Sequence, residues 1–246
     1  LYRVKEDMKC KAIQVASGNK TFYSKGGVVF EKGSHTLAFY PTKKKGSYKV
    51  PVSTRYISSR AFKDAHYITA LTITKNVGRS GGTTYYFDKC RNLEKIDVKQ
   101  GELNYISMSF SGCNKLKSIS FPSNIMTTDL WGLPEGVTIR GWQNTQAKES
   151  AERAKGKFVS LGTIPPVITG GRVKKIIDKY QLSWNASRGA SGYQIYTVSN
   201  TIADLKGSGS TTCFIKDIYE YDTIYIRAYR IVKGRKVYGK AKAVSI

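Results

Sequence analysis

Residues 87–98 read FDKCRNLEKIDV and residues 110–121 read FSGCNKLKSISF, so one twelve-letter pattern is written twice, 23 positions apart. Phe87/Phe110, Cys90/Cys113, Leu93/Leu116 and Ile96/Ile119 fall at equal spacing, and polar residues fill most positions between them. The second half of the pattern, Leu-x-x-Ile-x-Val, ends in a period-two alternation. Ile96 and Val98, like Ile119 and Phe121, therefore point one way while Asp97 and Ser120 point the other, as on a strand with one buried face. The first half, Phe-x-x-Cys-x-x-Leu, advances in threes, the step of a short helical or 3₁₀ turn. One such coil cannot bury its apolar side alone. Stacked coils share a core, and equivalent side chains then form ladders about 4.8 Å apart.

The template extends in both directions. FKDAHYITALTI (62–73) sets Phe62, Ala65, Ile68, Leu71 and Ile73 in register, and DMKCKAIQV (7–15) places Cys10 at the Leu position with Ile13 and Val15 after it. Downstream, Val137 and Ile139 of GVTIRGW repeat the closing alternation. Phe62, Phe87 and Phe110 stand 25 and 23 apart, inside the ~20–29-residue period of leucine-rich repeats. The spacing predicts a continuous ladder built from Leu71–Ile73, Leu93–Val98, Leu116–Phe121 and Val137–Ile139, with the three Phe side chains stacked and buried. The connections over 99–109 and 122–136 look irregular. Cys90 and Cys113 share a ladder position, which places them within disulfide reach or lets both pack as small hydrophobes. Cys10 and Cys213 have no evident partner.

These residues resemble the BspA-like leucine-rich repeats of bacterial surface proteins, whose hallmark is AF-x-x-C-x-x-L-x-x-I. The resemblance covers roughly residues 4–160. Within it, NKTFYSKGGVVFEKGSHTLAFYPTKKKGSYKVP (19–51) is similar to the family's hairpin insertion, with Gly26-Gly27 and Gly33-Ser34 supplying turns. GVTIRGWQNTQAKESAERAKGKFVSLG (136–162) is similar to its terminal strand and capping helix; Ala147, Ala151 and Ala154 share a helical face, and Gly156 sits where a C-terminal stop belongs.

TIPPVITGG (163–171) reads as a linker running into a first strand. Beyond it Tyr180, Leu182 and Trp184 alternate, and GASGYQIYTV, TTCFI, DTIYIRAYRI and KVYGKAKAVSI follow as strands, about seven in all, which suits a Greek-key sandwich. WNASRGASGYQIY (184–196) and YIRAYRIVKGRKVYG (225–239) resemble fibronectin type III domains of bacterial extracellular proteins over residues 163–246. That resemblance implies Trp184 in the core between two sheets, with Tyr193, Ile195, Ile224, Ile226 and Ala228 lining it. The chain contains no Arg-Gly-Asp, so integrin binding is not implied. The expected fold class is mainly β: a leucine-rich-repeat domain over 1–160 followed by a fibronectin-type sandwich over 163–246.

The 246 residues carry a net charge of +24, spread over both parts: 27 basic against 12 acidic residues over 1–160 and 14 against five over 161–246. A charge of that size attracts polyanions, or serves only as a soluble basic surface. Nucleic acid ranks low among partners because no recognition module is present. Catalytic chemistry finds little to work with. His35 and His66 are the only histidines, no phosphate loop or zinc spacing occurs, and the acidic residues are isolated. No cofactor and no metal are expected, and no apolar run reaches the ~18 residues of a membrane span. The chain opens inside a partial repeat, so it reads as a piece of something longer whose export signal lies elsewhere.

The reading is a non-catalytic binding or adhesion scaffold at a bacterial cell surface, recognising a protein or glycan. The alternatives are a module that docks an anionic polymer and an appendage of a larger surface enzyme. The candidate binding face lies on the sandwich. With Ile224, Ile226 and Ala228 inward, Tyr225, Arg227 and Tyr229 face out; with Tyr193 and Ile195 inward, Gln194 and Tyr196 face out; and Lys240 and Lys242 alternate with Ala241 and Ala243 on the last strand. Tyr196, Tyr225, Arg227, Tyr229, Lys240 and Lys242 are expected to share one exposed face, either as a ligand site or as cross-strand packing.

Overall fold

The structure, a computed structural model, describes residues 9–78, 83–101, 105–125, 127–143, 145–197, 201–216 and 223–245. Asp7 and Met8 of the upstream template, and Val198, Asp222 and Ile246 of the expected strands, lie outside them. Two compact units form: residues 1–142 with 146–161, and residues 143–145 with 162–246.

In the first unit the strands are β1 (Phe22–Lys25), β2 (Val28–Glu31), β3 (Thr36–Phe39), β4 (Gly46–Lys49), β5 (Tyr56–Ile57), β6 (Ile68–Ile73), β7 (Thr83–Tyr86), β8 (Lys95–Val98), β9 (Tyr105–Ser109), β10 (Ser118–Ser120), β11 (Thr127–Trp131) and β12 (Thr138–Gln143), followed by helix α1 (Gln146–Arg153) and β13 (Lys157–Thr163). Strands β4, β6, β8, β10 and β12 pair in parallel as the main ladder, and β13 is hydrogen-bonded at its end. The inward row Tyr48–Leu71–Ile96–Ile119–Ile139 runs through it in register. Phe62, Phe87 and Phe110 are buried and stacked at 5.8 and 5.7 Å between ring centroids. The four cysteines are free, and the pattern's thiols point along the stack. Cys90 Sγ donates to the Phe62 carbonyl and Cys113 Sγ to the Phe87 carbonyl, each at 3.0 Å. The repeated Cys position thus ties each coil to the one before it without a disulfide.

Three details depart from the sequence reading. The connections are regular in part: β9, within 99–109, and β11, within 122–136, join β7 in a second parallel sheet, so the chain crosses alternately from one sheet to the other. The last residues of the expected hairpin insertion belong to the ladder. Tyr40 extends the aromatic stack, 5.2 Å from Phe62, and Tyr40–Val50 is a repeat one residue short, absorbed by a register shift at Gly46/Ser47. The upstream template fails as a coil, because residues 9–21 form no strand. Instead Ile13 donates its N–H to Gly27 O, and Ile13 and Val15 pack with Val29, Ala38 and Phe39 on the antiparallel meander β1–β2–β3.

Helix α1 buries Ala147 and Ala151, with Ser150 between them, and leaves Ala154 half-buried. It ends through Lys155, which takes φ 52°, and Gly156 returns its N–H to Ala151 O at 2.8 Å, the six-to-one bond of a Schellman stop. Gly156 is there for space: a Cβ would lie 2.9 Å from Val137 O.

The second unit contains β14 (Arg172–Ile176), β15 (Lys179–Ser183), β16 (Gly192–Tyr196), β17 (Thr201–Lys206), β18 (Thr212–Ile215), β19 (Thr223–Val232), β20 (Arg235–Tyr238) and β21 (Lys242–Ser245). One antiparallel sheet is ordered β14-β15-β18; the other is ordered β17-β16-β19-β20, with β21 also on β19. Trp184, Tyr193, Ile195, Ile224, Ile226 and Ala228 share the core with Leu182, Ile215 and Val244. The Tyr193 hydroxyl is satisfied inside, donating to Ser208 O (3.0 Å) and accepting from Ser187 N–H (2.8 Å). The expected last strand is two. Tyr238 pairs with Tyr229, but Lys242 pairs with Ile226, so residues 239–241 hold one extra residue, a bulge.

Candidate functional site

The bulge corrects part of the expected face. Because side chains alternate, one inserted residue reverses the phase of every residue after it on the strand. Lys242 lies opposite inward Ile226, and Ala243 opposite outward Tyr225. Lys242 therefore does not share the face, and Lys240 sits exposed within the bulge.

Tyr196, Tyr225, Arg227 and Tyr229 do come together, but as a packed cluster. Tyr196 stacks on Tyr225 at 5.4 Å, and the Arg227 guanidinium lies 4.7 Å from the Tyr196 ring and 4.0 Å from that of Tyr238. Arg227 Nε and Nη2 both donate to Gln194 Oε1, at 2.9 and 2.6 Å. The Tyr229 hydroxyl donates to Leu205 O, and the Lys236 ammonium sits over the Tyr229 ring while pairing with Asp204. Gly192 makes room, since a Cβ there would meet the Tyr229 hydroxyl at 2.4 Å. Tyr196, Arg227 and Tyr229 are only 6, 6 and 2% exposed. Burial lowers the pKa of Arg227, and Tyr196 and Tyr238 act against that shift; guanidinium remains charged regardless. The exposed face expected from alternation is instead cross-strand packing. Gln194, Tyr238, Lys236 and Asp204 complete it, and only the alternation of Gln194 hinted at any of them.

The solenoid unit presents two outward surfaces. On the main ladder the outward rows are Ser47–Ala70–Lys95–Ser118–Thr138 and Lys49–Thr72–Asp97–Ser120–Arg140. The floor is thus mostly small and hydroxylated, and Lys49, Lys95 and Arg140 stand exposed on it. Asp97 is engaged by Lys99 at 2.6 Å. Beside the ladder Lys117 donates to Glu94 at 2.7 Å; that hydrogen bond, with the ammonium's charge, holds Glu94 below the usual carboxylate range. On the second sheet the outward rows are Thr84–Ser107–Asp129 and Tyr86–Ser109–Trp131. Where β11 meets α1, a pocket of ≈ 200 Å³ opens, lined by Asp129, Leu130, Trp131, Arg153 and Ala154 with Thr128 and Ser150.

The two histidines lie in turns. His66 Nδ1 is 2.8 Å from Lys89 O, and His35 takes φ 53°. Among the described residues no three His, Cys, Asp or Glu side chains gather to hold a metal, and no helix is long and apolar enough to cross a membrane.

Residues 35–130, which carry the stacked coils, match the model of the BspA type leucine-rich repeat region in six copies. This stretch is a BspA-type leucine-rich-repeat region. No curated protein matches the chain. Among solved structures, the pneumococcal vaccine antigen PcpA is similar at 21% identity and a TM-score of 0.33, over 61% of this chain and 50% of that one. The Clostridium perfringens spore cortex lytic enzyme SleM is similar at 11% identity and a TM-score of 0.28, over 62% of this chain and 67% of that one. A leucine-rich repeat protein from Eubacterium ventriosum is similar at 17% identity and a TM-score of 0.30, over 54% and 45% of the two chains. The chain therefore spans about half the length of the pneumococcal antigen it matches.

Proposed function

We propose that this chain is a non-catalytic, extracellular binding scaffold whose BspA-type repeats present the main ladder to an acidic partner, and whose second unit is a fibronectin type III module. The observation that carries the binding face is the pair of outward rows on β4, β6, β8, β10 and β12. A rigid parallel ladder holds Lys49, Lys95 and Arg140 above a floor of Ser, Thr and Ala, with the single carboxylate Asp97 already paired. Small side chains let a polymer or a flat acidic surface approach the sheet, and fixed cations attract it without any ordering of long loops. The net charge of +24 adds long-range steering toward the same class of partner. The kind of protein in which such repeats occur supports a cell-surface location. The two-sheet core around Trp184 and Tyr193 supports the fibronectin-type reading.

The test is capture of purified anionic wall polymer and of heparin by the intact chain and by a Lys49→Glu/Lys95→Glu/Arg140→Glu variant. Loss of capture with an unchanged melting temperature supports the ladder face. Equal capture by both proteins rejects it.

A further inference from the structure

Large aromatic residues on a sheet normally pack most of their surface. Trp131 does not: it is 52% exposed, and its indole makes no hydrogen bond or ring contact with any described residue. It stands at the end of β11, the edge strand of the second sheet, in one outward row with Ser109 and Tyr86. The two aromatic residues are thus two strands apart, roughly 9.6 Å by ordinary strand spacing. The Arg60 guanidinium, 5.9 Å over the Tyr86 ring, steadies one end of the row.

Around the aromatics lie groups suited to hydroxyls. Ser109 Oγ donates to Asp88 Oδ1 at 2.5 Å, Ser107 Oγ lies 3.4 Å from Asp129 Oδ2, and Arg153 Nη2 lies 3.9 Å from Asp129 Oδ1. Asp129 and Arg153 also line the pocket that Trp131 borders. Two carboxylates, Asp88 and Asp129, balance two guanidiniums, Arg60 and Arg153. Lys89, next to Asp88, is itself paired with Asp64, so these named groups carry no net charge on a chain of +24.

We infer that the row Tyr86–Ser109–Trp131, with the adjoining pocket, binds an uncharged, extended β1→4-linked oligosaccharide. An aromatic face stacks against the apolar C–H face of a pyranose ring, while paired carboxylate and guanidinium groups accept from and donate to its hydroxyls. In a β1→4-linked chain alternate sugars present the same face, so two aromatics in one row, two strands apart, meet equivalent rings. Local neutrality separates this site from the basic ladder and selects an uncharged ligand. The site goes beyond the proposed acidic-partner face, because it lies on the other sheet and uses none of its cations.

The experiment is titration calorimetry of the intact chain with cellohexaose and with chitohexaose, at low salt and at about 0.5 M salt, where charge capture is screened. At least one sugar should bind with little salt dependence. Trp131→Ala should weaken it about tenfold or more, as for an aromatic anchor. Trp131→Tyr should retain most of the affinity, and neither variant should change the melting temperature. The Lys49→Glu/Lys95→Glu/Arg140→Glu variant should bind the sugar like the parent. No binding of either sugar, full binding by Trp131→Ala, or binding abolished by salt overturns the inference. Loss of polyanion capture and loss of sugar binding are thereby read on different variants, so one reading can fail while the other stands.

Discussion

Tyr40 shows how one side chain records its setting. Its ring extends the Phe stack, yet its hydroxyl is buried and finds no hydrogen-bond partner among the described residues. Burial, aided by the neighbouring Cys90, pushes its pKa up to about 12, and Tyr48 beside it is raised as well. A raised phenol pKa means that the folded state resists ionisation. Ionisation costs the fold nothing below the ordinary value of 10.0, and stability falls as pH climbs from there through about 12. The repeat unit should therefore unfold in that alkaline window, with tyrosinate absorbance rising in step. Tyr40→Phe should gain stability of up to about 1 kcal/mol at neutral pH, since an unpartnered hydroxyl is removed, and should shift the alkaline transition upward. Arg227 is the opposite case, a buried polar group with its needs met by Gln194 and two rings. Arg227→Ala strands Gln194 and empties the cluster, so it should cost about 2–4 kcal/mol in chemical denaturation of the second unit. Capture of acidic ligands should be little affected, because the cluster is closed to solvent.

At the scale of the element, the deciding unit is the coil. Leu93 is fully buried between the turn that begins at Phe87 and the strand β8. Leu93→Asp places an unpaired charge there and should remove the cooperative transition of the repeat unit, seen by calorimetry, because neighbouring coils lose their shared core. A parent-like melting curve would mean the register is wrong. The main ladder was legible because its apolar letters recur at fixed spacing. The second sheet was not, since its inward positions Tyr85, Met108 and Leu130 share no letter and its strands share no turn motif. The Tyr40–Val50 copy was hidden by one missing residue and by Tyr in place of Phe. On the sandwich, alternation correctly turned Tyr225, Arg227 and Tyr229 away from the core. It could not show that they pack on one another, nor that a bulge at 239–241 reverses Lys242. Alternation gives the side of a sheet; burial depends on what the neighbours do.

For the whole molecule, the two units have separate cores. Calorimetry should resolve two transitions, and Leu93→Asp should remove one while the Trp184 fluorescence transition of the second unit persists. Function at this scale follows from the distribution of charge. The most direct measurement is heparin affinity against salt for the intact chain and for the Lys49→Glu/Lys95→Glu/Arg140→Glu variant. If the ladder face captures an acidic partner, log affinity should fall steeply and linearly with log salt for the parent. The variant should bind about tenfold or more weakly at low salt with a visibly flatter slope, because fewer counterions are released. A variant indistinguishable from the parent, or parent affinity that survives at about 0.5 M salt, where charge capture is screened, would contradict the account.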